Sequence, residues 1–479
     1  MSPSSPRARD AVVVGSGPNG LAAAVTLAQA GHRVTVLEAA DEIGGGTRTA
    51  ELTLPGLPHD VCSAVHPLGV GSPFFSSLPL AEHGLVWRWP EVDMAHPLDD
   101  GSCPVLLRDL KRTCAGLGED ATAWRQVFGP VARSFDAVAA EVLGPMLHVP
   151  RHPLALARFG LRAGLPATVL ARRFRTPQAR ALFAGSAAHA YQPLSGLATA
   201  AVGVVLTAAG HARGWPVAEG GSAAISRALA SLLTSLGGTV VTGHRVRSRA
   251  DLPAADVTLL DTGPGAAAEI LGDALPSGTR KAYRRFRYGA AAYKVDLAVR
   301  GGVPWSAPEA RRAGTVHVGG TLEQVAAAEA DAAAGRMPER PFVLVAQQSV
   351  ADPTRVRDDV HPVWAYAHVP NGYDGDGSPD PVLDQMERLA PGLRERVVGV
   401  SVRTATQLEA DNANYVGGDI AGGNSDLRQL LARPRVSPDP YATGVPGVYL
   451  CSASTPPGAG VHGMCGYRAA TSALRHLAG

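Results

Sequence analysis

"AVVVGSGPNGLAAAVTLAQAGHRVTVLEAADEIGGGTRT", residues 11–49, decides the fold. Ala11 to Val14 is a short apolar run, the pattern of a strand buried on both faces. Gly15, Gly17 and Gly20 then form G-x-G-x-x-G at a turn. Gly15 lets the chain reverse, Gly17 lets the backbone approach a pyrophosphate, and Gly20 lets the next helix pack on the strand. Ser16, Pro18 and Asn19 belong to the same loop. Leu21 to Ala30 reads as a helix stopped by Gly31, and Arg33 to Leu37 as the second strand. Glu38 ends that strand, with Ala39 beside it, where a carboxylate accepts hydrogen bonds from both hydroxyls of an adenosine ribose. It would repel a 2′-phosphate, which argues against NADP.

A second glycine-rich turn, Gly44-Gly45-Gly46-Thr47-Arg48-Thr49, follows directly. Another cradle plus an arginine suits an extended cofactor, FAD rather than NAD. The stretch resembles the extended fingerprint of the flavin amine oxidase and phytoene desaturase superfamily, in which G-G-x-x-R-[ST] follows. Gly45, Gly46 and Arg48 are its expected counterparts here, with Thr47 before the arginine. The resemblance implies an α/β chain with a glutathione reductase-like, Rossmann-type FAD-binding domain interleaved with an α+β substrate domain. Three further stretches look like signatures of the pyridine nucleotide-disulphide oxidoreductase domain-containing group: "HDVCSAVHPL" (59–68), "NYVGGDIAGG" (414–423) and "STPPGAGVHGMCGY" (454–467).

The apolar alternation supports the interleaving. It lapses from 82 to about 192, returns over 214–248, lapses from 292 to 400 and returns over 447–477. The FAD-binding domain is therefore expected from 1–81, 214–291 and 401–479. A substrate domain with a helical insertion takes 82–213 and 292–400. A strand is expected over 239–246, with Val246 beside the cofactor. Gly263, Gly265 and Ala268 repeat a G-x-G-x-x-A pattern after a further strand. No acidic residue follows at the required spacing, so this reads as a loop of the same domain rather than a nicotinamide site. External NAD(P)H is then not the expected hydride source.

At 479 residues the chain has room for two domains, and 46% apolar against 18% charged residues allows a sizeable core. A net charge of +2 does not point to nucleic acid as a partner. Its five scattered cysteines include no C-x-x-C, which speaks against a redox disulfide and a zinc site and fits a reducing cytoplasm. No metal site is expected. The start, "MSPSSPRARD", lacks an apolar signal core and reads as a frayed tail. "LSGLATAAVGVVLTAAG", residues 194–210, is short and diluted for a membrane span and reads as a buried helix.

The C-terminal signature bears on catalysis. A strand feeds a turn containing Ser454, and a helix starts near His462-Gly463-Met464. Its free N–H groups and positive dipole end would face the flavin ring. Lys294 sits inside the apolar strand pattern "YGAAAYKVDLAV". It is either an edge residue in solvent or a buried amine with a purpose. In the related amine oxidases a lysine on a comparable strand holds a water at the flavin. His462 is the leading acid–base candidate. Tyr191, Asp60, His66, His189 and Tyr415 are further candidates, each equally readable as a satisfied polar residue.

No Asp or Glu occurs between Glu141 and Glu219, yet Arg151, Arg158, Arg162, Arg172, Arg173, Arg175, Arg180 and Arg213 do. Segment 151–180 reads either as a solvated helical face or as a basic amphipathic surface for an anionic membrane or acidic partner. In the second case a cytoplasmic protein would sit peripherally at the membrane. The expected activity is FAD-dependent dehydrogenation or desaturation of a largely apolar or conjugated small molecule, with O2 or a quinone-like compound as electron acceptor. Amine or amino-acid oxidation, a redox-neutral flavin isomerase and a non-catalytic protein like the GDP-dissociation inhibitors are the competing readings. The last is disfavoured by the intact Gly15, Gly17, Gly20 and Glu38.

Overall fold

The opening apolar run is a strand, Asp10–Val14, whose successive side chains enter two different cores. Ala11 and Val13 face one cluster, and Val12 and Val14 the other. That two-sided burial requires parallel neighbours covered by helices. The strand lies third in a five-stranded parallel sheet, ordered Val448–Leu450, Val257–Leu260, Asp10–Val14, Arg33–Leu37, Thr239–Val241. On one face the Ala-rich helix Pro18–Gln29 is buried from Gly20 to Ala28, against helices Ala223–Ser235 and Met464–Ala478. Helix Pro264–Leu271 supplies Ala267, Ile270 and Leu271 to the other core.

The computed structural model describes residues 8–478. Of the expected tail, residues 1–7 lie outside that range. Its last residue is already in the sheet, and the Asp10 N–H donates to Asp256 at 2.9 Å.

A second sheet of seven strands follows the order Val397–Arg403, Ala291–Arg300, Val360–Val369, Val343–Ala346, Ala313–Val318, Val92–Ala95, Val105–Leu106. All pairs are antiparallel except Ala313–Val318 with Val92–Ala95. Its outer face is aliphatic: Val295, Leu297 and Val299 pack with Val363, Ala365 and Ala367. Its inner face carries Lys294, Asp296, Trp364, Tyr366 and His368. Five helices of 8 to 14 residues between Ala121 and Arg213 form a separate layer, with Trp124, Phe128, Phe174 and Phe183 in mutual ring contact.

Three expectations change. The strand expected over 239–246 stops at Val241, because the chain turns back over the second strand. There Gly243 N donates to the Ala40 carbonyl at 2.8 Å and His244 N to that of Glu38 at 2.7 Å. The boundary at 400/401 falls inside strand Val397–Arg403, which pairs with Ala291–Arg300. Non-local pairing, not local pattern, sets that limit. In the stretch 194–210, helix begins only at Ala200 and runs to Arg213. Among the described residues no single helix is long and apolar enough to cross a membrane.

Candidate functional site

The carboxyl ends of the parallel strands meet in a cavity of about 710 Å³. Its floor is the turn Gly15–Asn19. Gly15 has φ +101°, and a Cβ on Gly20 would sit 2.1 Å from the Gly15 carbonyl oxygen. Only hydrogen at position 20 lets the helix start this close to the strand. Gly17 caps helix Pro18–Gln29 with no side-chain acceptor and no acidic residue in the first turn. Pro18 has no N–H and Gly20 N donates to Asp261, so the Asn19 N–H is the one this helix start leaves for an anion.

Glu38 stands at the cavity edge and already organises the loop. One carboxylate oxygen accepts Ser16 N (2.8 Å) and Ser16 Oγ (2.5 Å), and the other accepts Ala40 N at 2.9 Å. The second oxygen retains a free lone pair for a hydroxyl donor. The second glycine turn folds onto the first through Gly44 N, which donates to the Ser16 carbonyl at 3.1 Å. Thr47 Oγ1 bonds the Gly44 carbonyl at 2.8 Å, and Arg48 Nε donates to the Gly45 carbonyl at 3.1 Å. The arginine therefore locks its own turn while lining the cavity.

Of the residues expected to bind a cofactor, Gly15, Ser16, Gly17, Pro18 and Asn19 line this cavity. So do Glu38, Ala39, Gly45, Gly46, Thr47, Arg48, Val246 and Ser454. Gly20 lies behind the loop, and its N–H donates to Asp261 at 2.9 Å. Gly463 and Met464 are not in the lining. The Cβ position of Gly463 lies 2.6 Å from Phe75 and 3.0 Å from Ala22, so this turn packs on the first helix and the preceding Ala459–Val461 reaches the cavity instead.

The expected catalytic residues are placed differently again. His462 is buried, and its Nδ1 accepts the Met464 N–H at 3.0 Å, so it caps the last helix. Burial pushes its imidazole down to about 4, leaving it neutral. Tyr191 is also buried outside the lining, stacked 4.0 Å from the His368 ring. Lys294 is no edge residue, since its strand is paired on both sides. Its ammonium is paired with Asp296 and lies 5.5 Å from the Trp364 ring centre, and Arg403 donates to the same Asp296 at 3.3 Å. Burial pulls Lys294 down to about 8, against the opposing charge of Asp296. Lys294 is outside the cavity lining, while the lining residue Tyr415 sets its hydroxyl against Gly46.

Asp60, His66 and His189 are held by the protein itself. Asp60 accepts from Arg355 at 2.7 Å and from Ser222 N at 2.7 Å, His66 meets Ser222 Oγ at 2.9 Å, and His189 meets His317 at 3.1 Å. Asp261 was not anticipated as a site residue. It is partly buried beneath the glycine loop and lines the cavity, and burial pushes its carboxyl up to about 7. Its position at the end of a central parallel strand was the available signal. The second G-x-G-x-x-A turn opens on the same cavity through Thr262 and Ala266, and the Gly263 N–H is taken by Asn414 at 2.8 Å.

Two buried polar atoms of the lining, Asn19 Oδ1 and Thr262 Oγ1, have no partner among the described residues. With two backbone turns, the Asn19 N–H at the helix start and a terminal carboxylate, they suit a long, doubly anionic dinucleotide. The residues fit such a group.

Residues 13–75 match the model of the NAD(P)-binding Rossmann-like domain. Over 98% of this chain and 94% of the relative, the sequence is 27% identical to pyridine nucleotide-disulfide oxidoreductase domain-containing protein 2 of Rattus norvegicus. A 41-residue stretch, 9% of this chain and 8% of the relative, is 61% identical to an L-amino-acid oxidase of Echis ocellatus. Among solved structures, putrescine oxidase superposes with a TM-score of 0.60 at 18% identity, covering 98% of both chains. The fold is that of the flavin-type oxidoreductases, and the likeness to the pyridine nucleotide-disulfide oxidoreductase domain-containing proteins extends along the whole chain.

Proposed function

We propose, on the premise of a flavin-type oxidoreductase fold, that this chain is an FAD-dependent dehydrogenase or desaturase acting on a largely apolar or conjugated small molecule. The carrying observation is the single cavity assembled from separate chain segments around Glu38 and the two glycine turns. When bound, FAD supplies a two-electron acceptor for hydride from a substrate C–H. The helix start at Gly17 and the turn Gly45–Arg48 would hold its pyrophosphate, and Glu38 would hold the ribose. A substrate proton on the neighbouring atom leaves to a base or water, so that a double bond forms. O2 or a quinone-like compound would be the final acceptor of the two electrons.

Lys294 is the group suited to hold or move that proton. Its Nζ is buried beside Asp296 and is pulled down to about 8, within reach of a neutral-pH reaction. Amine oxidation is favoured by one feature, the aromatic cluster of Tyr191, Trp364 and Tyr366 on the face that carries Lys294.

The visible spectrum of the purified protein tests the cofactor. Flavin bands are expected, and a Glu38→Arg variant should purify without them. A spectrum lacking the bands would end the flavin reading in favour of a binding protein. Reduction without air followed by mixing with oxygen then divides the enzymes. Slow return of the bands supports the dehydrogenase or desaturase, and rapid return supports the amine oxidase. Lys294→Met should slow substrate-driven bleaching while leaving flavin content unchanged.

A further inference from the structure

The arginine-rich stretch has no part in the cavity, and its surroundings are unusual for a solvated face. Of the five most exposed large apolar side chains among the described residues, four lie within fifteen positions: Leu147 (75%), Val149 (90%), Leu154 (72%) and Leu161 (77%). Helix Pro153–Ala163 buries Ala155, Phe159 and Ala163 and turns Leu154, Arg158 and Leu161 outward. Those positions, at i, i+4 and i+7, share one face. The chain then bends by 93° into Ala167–Arg173, adding exposed Val169, Arg172 and Arg173. The turn carrying Leu197 (63% exposed) is tied to that corner by Ala198 N donating to Gly164 O at 3.2 Å and Thr168 N to Leu194 O at 3.1 Å.

Charge completes the pattern. Among the described residues no ion pair involves Arg151, Arg158, Arg162, Arg172, Arg173 or Arg175. The bordering carboxylate, Glu141, is buried and spent on the N–H groups of Arg151 (2.9 Å) and His152 (2.7 Å). Arg162 turns inward onto the carbonyls of Arg158 and Gln126, but exposed Arg158, Arg172 and Arg173, interleaved with outward leucines, suit an occupant that is at once anionic and apolar. A lipid bilayer with acidic headgroups offers both at one depth.

We propose that Leu147–Arg173, with Leu197, docks the protein on an anionic membrane surface, its leucines entering the acyl boundary and its arginines meeting headgroup phosphates. The surface also lies near the site. Helix Ala200–Arg213 packs against both Pro153–Ala163 and the short helix Pro67–Val70. A Cβ on Gly69 would lie 3.2 Å from the carbonyl oxygen of Val461, which lines the cavity. The docked face is thus separated from that end of the cavity by these two helices.

Sedimentation of the full chain with vesicles tests this without using any activity. Vesicles of equal phosphatidylcholine and phosphatidylglycerol should carry down about tenfold more protein than phosphatidylcholine alone, less so at high salt. Leu154→Ser/Leu161→Ser and Arg158→Glu/Arg172→Glu/Arg173→Glu should each abolish the difference. Both change only solvent-facing side chains, so melting temperature should stay put, confirming that the variants fold. No binding to the acidic vesicles overturns the proposal, as does binding that survives Leu154→Ser/Leu161→Ser. A dimer by light scattering that this variant splits would assign the face to a second copy of the chain and overturn it equally.

Discussion

In the five-stranded parallel sheet the functional groups sit in loops at strand ends, while strand interiors such as Val12–Val14 and Val257–Leu260 are almost wholly apolar. The seven-stranded sheet instead carries Lys294 and Asp296 in the middle of a doubly paired strand, with His368 on the adjacent strand and His317 three strands away. The first arrangement binds through backbone N–H groups, which cost no side-chain desolvation. The second keeps ionisable side chains in the interior by pairing them: Lys294 with Asp296, and His368 with Glu329 at 2.6 Å. One sheet is therefore sensitive to shape and the other to charge, and each can be broken in its own currency.

The largest effect is expected from shape. Gly20→Ala puts a methyl 2.1 Å from the Gly15 carbonyl oxygen, a contact with backbone that cannot yield. A cost above about 4 kcal/mol is expected, seen as insoluble protein or protein purified without flavin. A soluble, flavin-loaded variant would show that the helix start is looser than its geometry.

Acid should act mainly through charge. Burial holds His59, His66, His96, His211 and His462 down to about 4 and His189 down to about 3. The unfolded chain takes up these protons near pH 6.5, whereas the folded chain resists until about 4. Stability is therefore complete above 6.5 and lost as pH falls toward 4, by up to about 1.4 kcal/mol per unit for each imidazole. Asp93 and Asp261, pushed up to about 6 and 7, work in the opposite sense but are fewer. A drop of order 5 kcal/mol between pH 7 and 5 is expected, read as a falling melting temperature. An unchanged melting temperature would mean that the imidazoles are wet.

Asp296→Ala leaves Lys294 and Arg403 desolvated without their shared partner, a loss of about 3–5 kcal/mol by urea unfolding. Adding Lys294→Met should recover part of it, because one uncompensated charge disappears. Strict additivity of the two changes would argue against the pair.

The smallest effect sharpens the loop side. Glu38→Gln keeps the shape but turns an amide NH2 toward a backbone donor, Ser16 N or Ala40 N. A loss of about 1–2 kcal/mol is expected, with flavin bound roughly tenfold more weakly by titration. Equal flavin affinity would show that Glu38 serves the loop and not the ribose.

How much of the site was legible follows the same division. Gly15 through Arg48 could be placed because their roles are local: a turn, a helix start and a strand end lie within forty residues. Asp261, Tyr415 and Ala459–Val461 reach the same cavity from hundreds of residues away, and no spacing rule connects them to Gly15. His462 shows the converse. Its motif was read correctly as a strand–turn–helix, but the turn packs on Phe75 and Ala22, so the ring caps a helix and never meets the cavity. Lys294 was left open between edge and interior, and only pairing with both Val360–Val369 and Val397–Arg403 decides for the interior.

The sequence by itself determined the first βαβ unit, the interleaving of two sheets and the carboxylate at the second strand's end. Steric and hydrogen-bonding constraints there act between near neighbours, and they leave few residue choices. Tertiary structure alone decided which titratable groups are buried, which of them are paired and which arginines stay free. Those properties depend on desolvation and on partners brought together by folding, and neither is written in local spacing.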